Sequence, residues 1–119
     1  MSLPYTDSIK LIDAVTSTTT STAYDISKRQ QVTLQFIASG ITSGNAVFTV
    51  DVSNDGTNWI TGVAFLDPVT TAVSVFSASQ TLSANGTKGA IVITGWRLLR
   101  VKATVTTDGT YTALMQNAG

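Results

Sequence analysis

The chain has 119 residues, no cysteine, no histidine, and seven aspartates balanced by seven Lys and Arg residues for a formal net charge of zero. Disulfides, thiolate metal sites and histidine general bases are thereby excluded. A neutral chain lacks the basic excess of a nucleic-acid binder, and no run approaches the roughly 18 apolar residues of a membrane span.

The length fits one domain. Charged residues make up 12% of the chain, against roughly 25% in an average domain, so Thr, Ser, Asn and Gln must cover much of the surface. Glutamate is absent, and Thr, Val and Ile suit pleated strands better than helices. Residues 1–8 read as an N-terminal arm and residues 9–119 as a single β-domain. Met1-Ser2-Leu3-Pro4 lacks the basic and apolar regions of a signal peptide, so none is expected.

In chain order, Ile9 to Val15 is the first predicted strand. Thr16 to Thr22 is a Thr/Ser-rich loop or exposed edge, and Ala23 to Ile26 a short extended piece. Val32 to Ala38 alternates, with Val32, Leu34, Phe36 and Ala38 on one face. After a loop from Ser39 to Asn45, Phe48, Val50 and Val52 share a face opposite Thr49, Asp51 and Ser53. Asn54 to Thr57 turns, and Asn58 to Phe65 is predicted to return as a strand that Pro68 stops. Val73 to Phe76, Gln80 to Ser83 and Gly89 to Thr94 read as short strands. Trp96 to Thr106 follows, with Leu99, Val101, Ala103 and Val105 inward and Arg100, Lys102, Thr104 and Thr106 outward. Tyr111 to Gln116 closes the series.

Asp55-Gly56-Thr57, Asn85-Gly86-Thr87 and Asp108-Gly109-Thr110 supply the positive φ angles of tight turns, and predict hairpins in a β-meander. The expected fold is an all-β, two-sheet antiparallel sandwich of about eight or nine strands, jelly-roll or immunoglobulin-like.

Asp51-Val52-Ser53-Asn54-Asp55-Gly56 matches the first half of a calcium loop, but the position that needs a bidentate acid holds Gly62. The hairpin reading accounts for these residues, and no metal or cofactor is expected. Trp59 and Trp96 either cap the ends of the core or form a sugar-stacking platform with neighbouring Asn and Asp. Asn85-Gly86-Thr87 is a formal glycosylation sequon that also reads as a turn. Lys28-Arg29 and the set Arg97, Arg100, Lys102 are the basic clusters. No residue set reads as catalytic, and a non-enzymatic protein is expected.

The segment Phe48 to Trp59 carries a V-x-V-S-x-D-G-x-x-W hairpin, and Trp96-Arg97-Leu98-Leu99-Arg100-Val101 and Thr106-Thr107-Asp108-Gly109-Thr110-Tyr111 follow it. Together they resemble small β-sandwich virion proteins of tailed bacteriophages. The resemblance implies a capsid decoration (cement) protein, or a tail or fibre component, located in the virion. Its partners would be the major capsid protein or other virion proteins, and it would be a homo-oligomer, often a trimer. No catalytic residue transfers with it. The alternative is a carbohydrate- or host-surface-binding module.

Overall fold

A computed structural model describes residues 8–68 and 76–116. Residues 1–7 of the predicted arm, and Val73 to Val75 of one predicted strand, lie outside the described residues.

Eleven strands form two sheets. They are β1 (Ile9–Val15), β2 (Thr19–Thr20), β3 (Tyr24–Asp25), β4 (Gln31–Ser39), β5 (Asn45–Ser53), β6 (Phe65–Leu66), β7 (Phe76–Ser77), β8 (Gln80–Leu82), β9 (Gly86–Ile93), β10 (Leu98–Thr106) and β11 (Thr110–Met115). The first sheet runs β1-β11-β4-β9-β6-β7; the second runs β2-β10-β5-β8, with β3 also on β10. The count exceeds the expected eight or nine because the Thr-rich edge and the β5–β8 connection each contribute two-residue strands.

β2 and β3 act as one interrupted edge strand along β10. Between them the Ser21 N–H donates to the Val101 carbonyl at 2.8 Å, and the Val101 N–H donates to Ser21 Oγ at 2.9 Å. With this pair counted once, and β6–β7 set aside as an extension of the first sheet, the chain changes sheet at every step except from β5 to β8, which pair within the second sheet. That is a jelly roll, in which sequence neighbours face each other across the core. An immunoglobulin fold would keep several of them paired within one sheet. Only β6 and β7 pair with an immediate chain neighbour among the described strands, so the meander expectation is corrected.

The Asx-Gly turns are corrected with it. Asp108-Gly109 carries the chain from β10 to β11, and Asn85 from β8 to β9, each time between sheets. Gly86 and Thr87 already belong to β9. Asn54 to Thr57 does turn the chain back, but the returning segment makes only one bridge, Val52 to Ile60, before β6 joins the opposite sheet. In each case the connection is decided by which sheet the next apolar face can be buried against.

The alternation governs the core as expected. Val32, Leu34, Phe36 and Ala38 from one sheet meet Phe48, Val50, Leu99, Val101 and Ala103 from the other, all buried. Val105, expected inward, is only partly buried at the edge of this cluster. The Phe36 and Phe48 rings stack across the interface with centroids 4.5 Å apart, and Tyr111 meets Phe48 edge-on at 6.3 Å.

Candidate functional site

Three surfaces could carry function: the loop after β5, the outer face of the second sheet, and the outer face of the first. The loop is built locally. Asp55 accepts N–H bonds from Thr57 at 2.9 Å and Asn58 at 2.8 Å, and one from the Asn58 side-chain amide at 2.9 Å. The Asn58 amide, with those backbone donors and the Ser53 hydroxyl, holds the Asp55 carboxyl far below the usual carboxylate range. Ser53, expected on a solvent face, is 1% exposed. Its hydroxyl donates to the Asn58 carbonyl at 2.6 Å and accepts the Gly56 N–H at 2.9 Å.

Asp51 was also expected outward and is 3% exposed. The returning segment covers it. The Val63 N–H donates to the Val50 carbonyl at 2.9 Å, and the Gly62 N–H to Asp51 Oδ1 at 3.2 Å. Thus the first and last positions of the half-matched calcium loop are bonded to each other, while Ser53 and Asp55 bond each other and Asn58 within the turn. Among the described residues no group of three His, Cys, Asp or Glu gathers that could hold a metal.

Directly across the β5–β10 ladder, Arg100 opposes Asp51, and its Nε donates to Asp51 Oδ2 at 2.9 Å. Trp59 lies over the Arg100 guanidinium, 4.2 Å from ring centroid to the charged carbon. Beside this group runs a groove of about 420 Å³, lined by Asp51, Arg100, Lys102, Thr20, Thr49 and Thr104. Thr61 and Gly62 also line it.

The two tryptophans therefore serve different surfaces. Trp96 is partly buried against the hydrophobic core, as the end-cap reading expects. Trp59 is half-buried on the outer face of the second sheet, over Arg100. Asn85 Oδ1 accepts the Ile41 N–H at 2.9 Å and ties two loops together, so the sequon residue has a structural partner. Lys28 is exposed and Arg29 half-buried; Arg29 donates to the Gln116 carbonyl.

The outer face of the first sheet is different in kind. Phe76 pairs with Leu66, and Leu66 with Ile91, so these three side chains share a face; Ile93 lies two residues further along the same strand. Phe76 is 60% exposed and Ile93 61%. An apolar row thus crosses β7, β6 and β9 on a face whose other positions include Thr33, Gln31 and Gln35.

Neither surface was visible in the sequence. The groove draws on segments around positions 20, 50, 61 and 102, and the row on three strands joined by a crossover. The one available signal was the pair of opposite charges, Asp51 and Arg100, each on a strand of clear alternation. No protein-family model matches this chain, and no curated protein and no solved structure matches it.

Proposed function

We propose that this chain is a non-enzymatic virion structural protein of a tailed bacteriophage, a capsid decoration protein that bridges capsid subunits and stabilises the head. The observation that carries the reading is the apolar row Phe76–Leu66–Ile91 with Ile93, standing open on a weakly charged β-surface. Contiguous exposed apolar side chains of this kind mark interaction surfaces more often than solvent faces. Covering a Phe or Ile side chain completely stabilises a complex by about 1.5–3 kcal/mol. The jelly roll is compatible with the role, since viral capsid and lectin domains both use it, although a fold by itself does not specify function.

In this reading the apolar row lies against a capsid subunit, and the chain acts as a homo-oligomer, a trimer, so that each assembly contacts several subunits at once. Simultaneous contacts raise avidity without new chemistry. The test is co-sedimentation with purified capsids of the encoding phage from which the protein has been removed. Saturable binding that raises the shell's thermal stability, and that is lost in Phe76→Asp with Ile93→Asp, is the expected result. Absence of binding by the natural chain overturns the proposal.

A second reading, a carbohydrate- or host-surface-binding module, is favoured by one observation: half-buried Trp59 stacks on Arg100, which itself lines the threonine-rich groove.

A further inference from the structure

The groove on the second sheet's outer face has a composition that selects among ligands. Its volume of about 420 Å³ falls within the roughly 300–1,000 Å³ of small-molecule sites. Thr20, Thr49 and Thr104 line it, and a threonine hydroxyl can both donate and accept. That two-way chemistry matches a polyhydroxylated ring better than a ligand of one polarity. Asp51 is fixed by Gly62 on one oxygen and Arg100 on the other. With both oxygens engaged and the residue 3% exposed, Asp51 serves to set the Arg100 guanidinium rather than to meet a ligand.

Charge narrows the class. Asp51 and Arg100 neutralise each other at 2.9 Å. The other ion pair among the described residues is Lys10–Asp13, so Lys102 brings an unmatched positive charge to the groove. Arg100 uses Nε for Asp51 and has further N–H donors to offer. Trp59, stacked on Arg100, helps to hold that guanidinium in place. All of this is mounted on a nine-residue β5–β10 ladder in continuous register, so little ordering is needed on binding.

We infer that the groove lined by Asp51, Arg100, Lys102 and the threonine hydroxyls binds an acidic saccharide, a pyranose bearing a carboxylate. The carboxylate meets Lys102 and the free edge of Arg100. The ring hydroxyls meet the threonines. The inference uses the surface of the second reading and is independent of capsid docking, which belongs to the opposite face of the sandwich. One face can therefore sit on a particle while the other samples a glycan.

The experiment is an NMR titration of the isotope-labelled full chain with three probes: a glucuronic-acid tetrasaccharide, a sialic-acid tetramer and maltotetraose. The expected result is saturable shifts at the amides of Thr49, Arg100, Lys102 and Thr104 with at least one acidic probe, at a Kd of about 1 mM or below. Lys102→Gln should weaken binding about fivefold, the upper end for loss of a solvent-exposed ion pair. Lys28→Gln removes the same charge elsewhere and should leave binding unchanged. Both variants alter exposed side chains, so folding is not at issue. Saturation by neither acidic probe, equal binding of maltotetraose, or an unchanged Kd in Lys102→Gln would each overturn the inference. Capsid co-sedimentation reads the other face and is unaffected by any of these outcomes.

Discussion

Asp55-Gly56-Thr57 and Asp108-Gly109-Thr110 are the same three residues in the same order, yet they hold the molecule in opposite ways. The Asp55 carboxylate bonds only to neighbours within three residues. The Asp108 carboxylate instead reaches across to the β4–β5 loop, accepting the N–H groups of Thr42 at 3.1 Å, Ser43 at 3.3 Å and Gly44 at 2.8 Å. Gly44 approaches so closely that a Cβ there would collide with the backbone of Asp108 and Thr106. The Tyr111 hydroxyl donates to the Asp108 carbonyl at 2.7 Å. One turn organises a loop; the other joins two corners of the sandwich. A local motif thus specifies that the chain reverses, while its neighbours in space decide what the reversal fastens.

The comparison breaks most visibly at Gly44. Gly44→Ala forces backbone apart at a buried corner and is expected to cost about 3 kcal/mol or more, read by urea denaturation. Asp108→Ala comes next: it leaves three backbone N–H groups of another loop without their acceptor. It should lower the unfolding midpoint clearly more than Asp55→Ala, and equal midpoints would show the two turns to be energetically alike.

Acid should act through the same groups. The N–H donors of Thr42, Ser43 and Gly44 hold the Asp108 carboxyl below its ordinary value, and Asp55 and Asp25 are lowered by their own donors. The folded chain therefore binds fewer protons than the unfolded one between the folded values and about 3.9. This stabilisation is full above that range and drains away as pH falls through it. Denaturation midpoints measured from pH 6 downward should fall less steeply in Asp108→Ala than in the natural chain.

Tyr111→Phe removes the single hydroxyl that braces the corner and should cost about 1 kcal/mol. The ring stays in the core, so spectroscopic signs of packing should persist. Burial, and then the Asp108 charge, push the Tyr111 phenol up, so it should resist ionisation in an alkaline absorbance titration until the fold opens. The smallest effect is expected for Asp55→Ala: hydrogen exchange should quicken at Thr57 and Asn58 and stay unchanged at Thr42 to Gly44.

The sheet faces were legible to the degree that one face was dry. Val32, Leu34, Phe36 and Ala38 alternate against Thr33, Gln35 and Ile37, and period two leaves one way to bury the apolar set. Asp51 escaped that reading because the segment after Trp59 folds back over its outward face, and Ser53 because the Asp55–Asn58 turn closes around its hydroxyl. No periodicity signals a loop lying on a sheet. Phe76 and Ile93 likewise gave no sign that they would stand on one apolar row, because that row needs the β6–β7 extension to sit beside β9.

By itself, then, the sequence determined an all-β sandwich, most strand positions, the inward residues and the places where the chain turns. Those depend on interactions between residues a few positions apart, or on the simple separation of apolar from polar faces. Only the tertiary structure decided that nearly every principal connection crosses between sheets, which of two identical turns locks the molecule, and where a threonine-lined groove and an apolar row are assembled. Those outcomes depend on which distant strands lie side by side, and pairing free energies between strands are nearly degenerate until the whole core closes around Phe36, Phe48 and Tyr111.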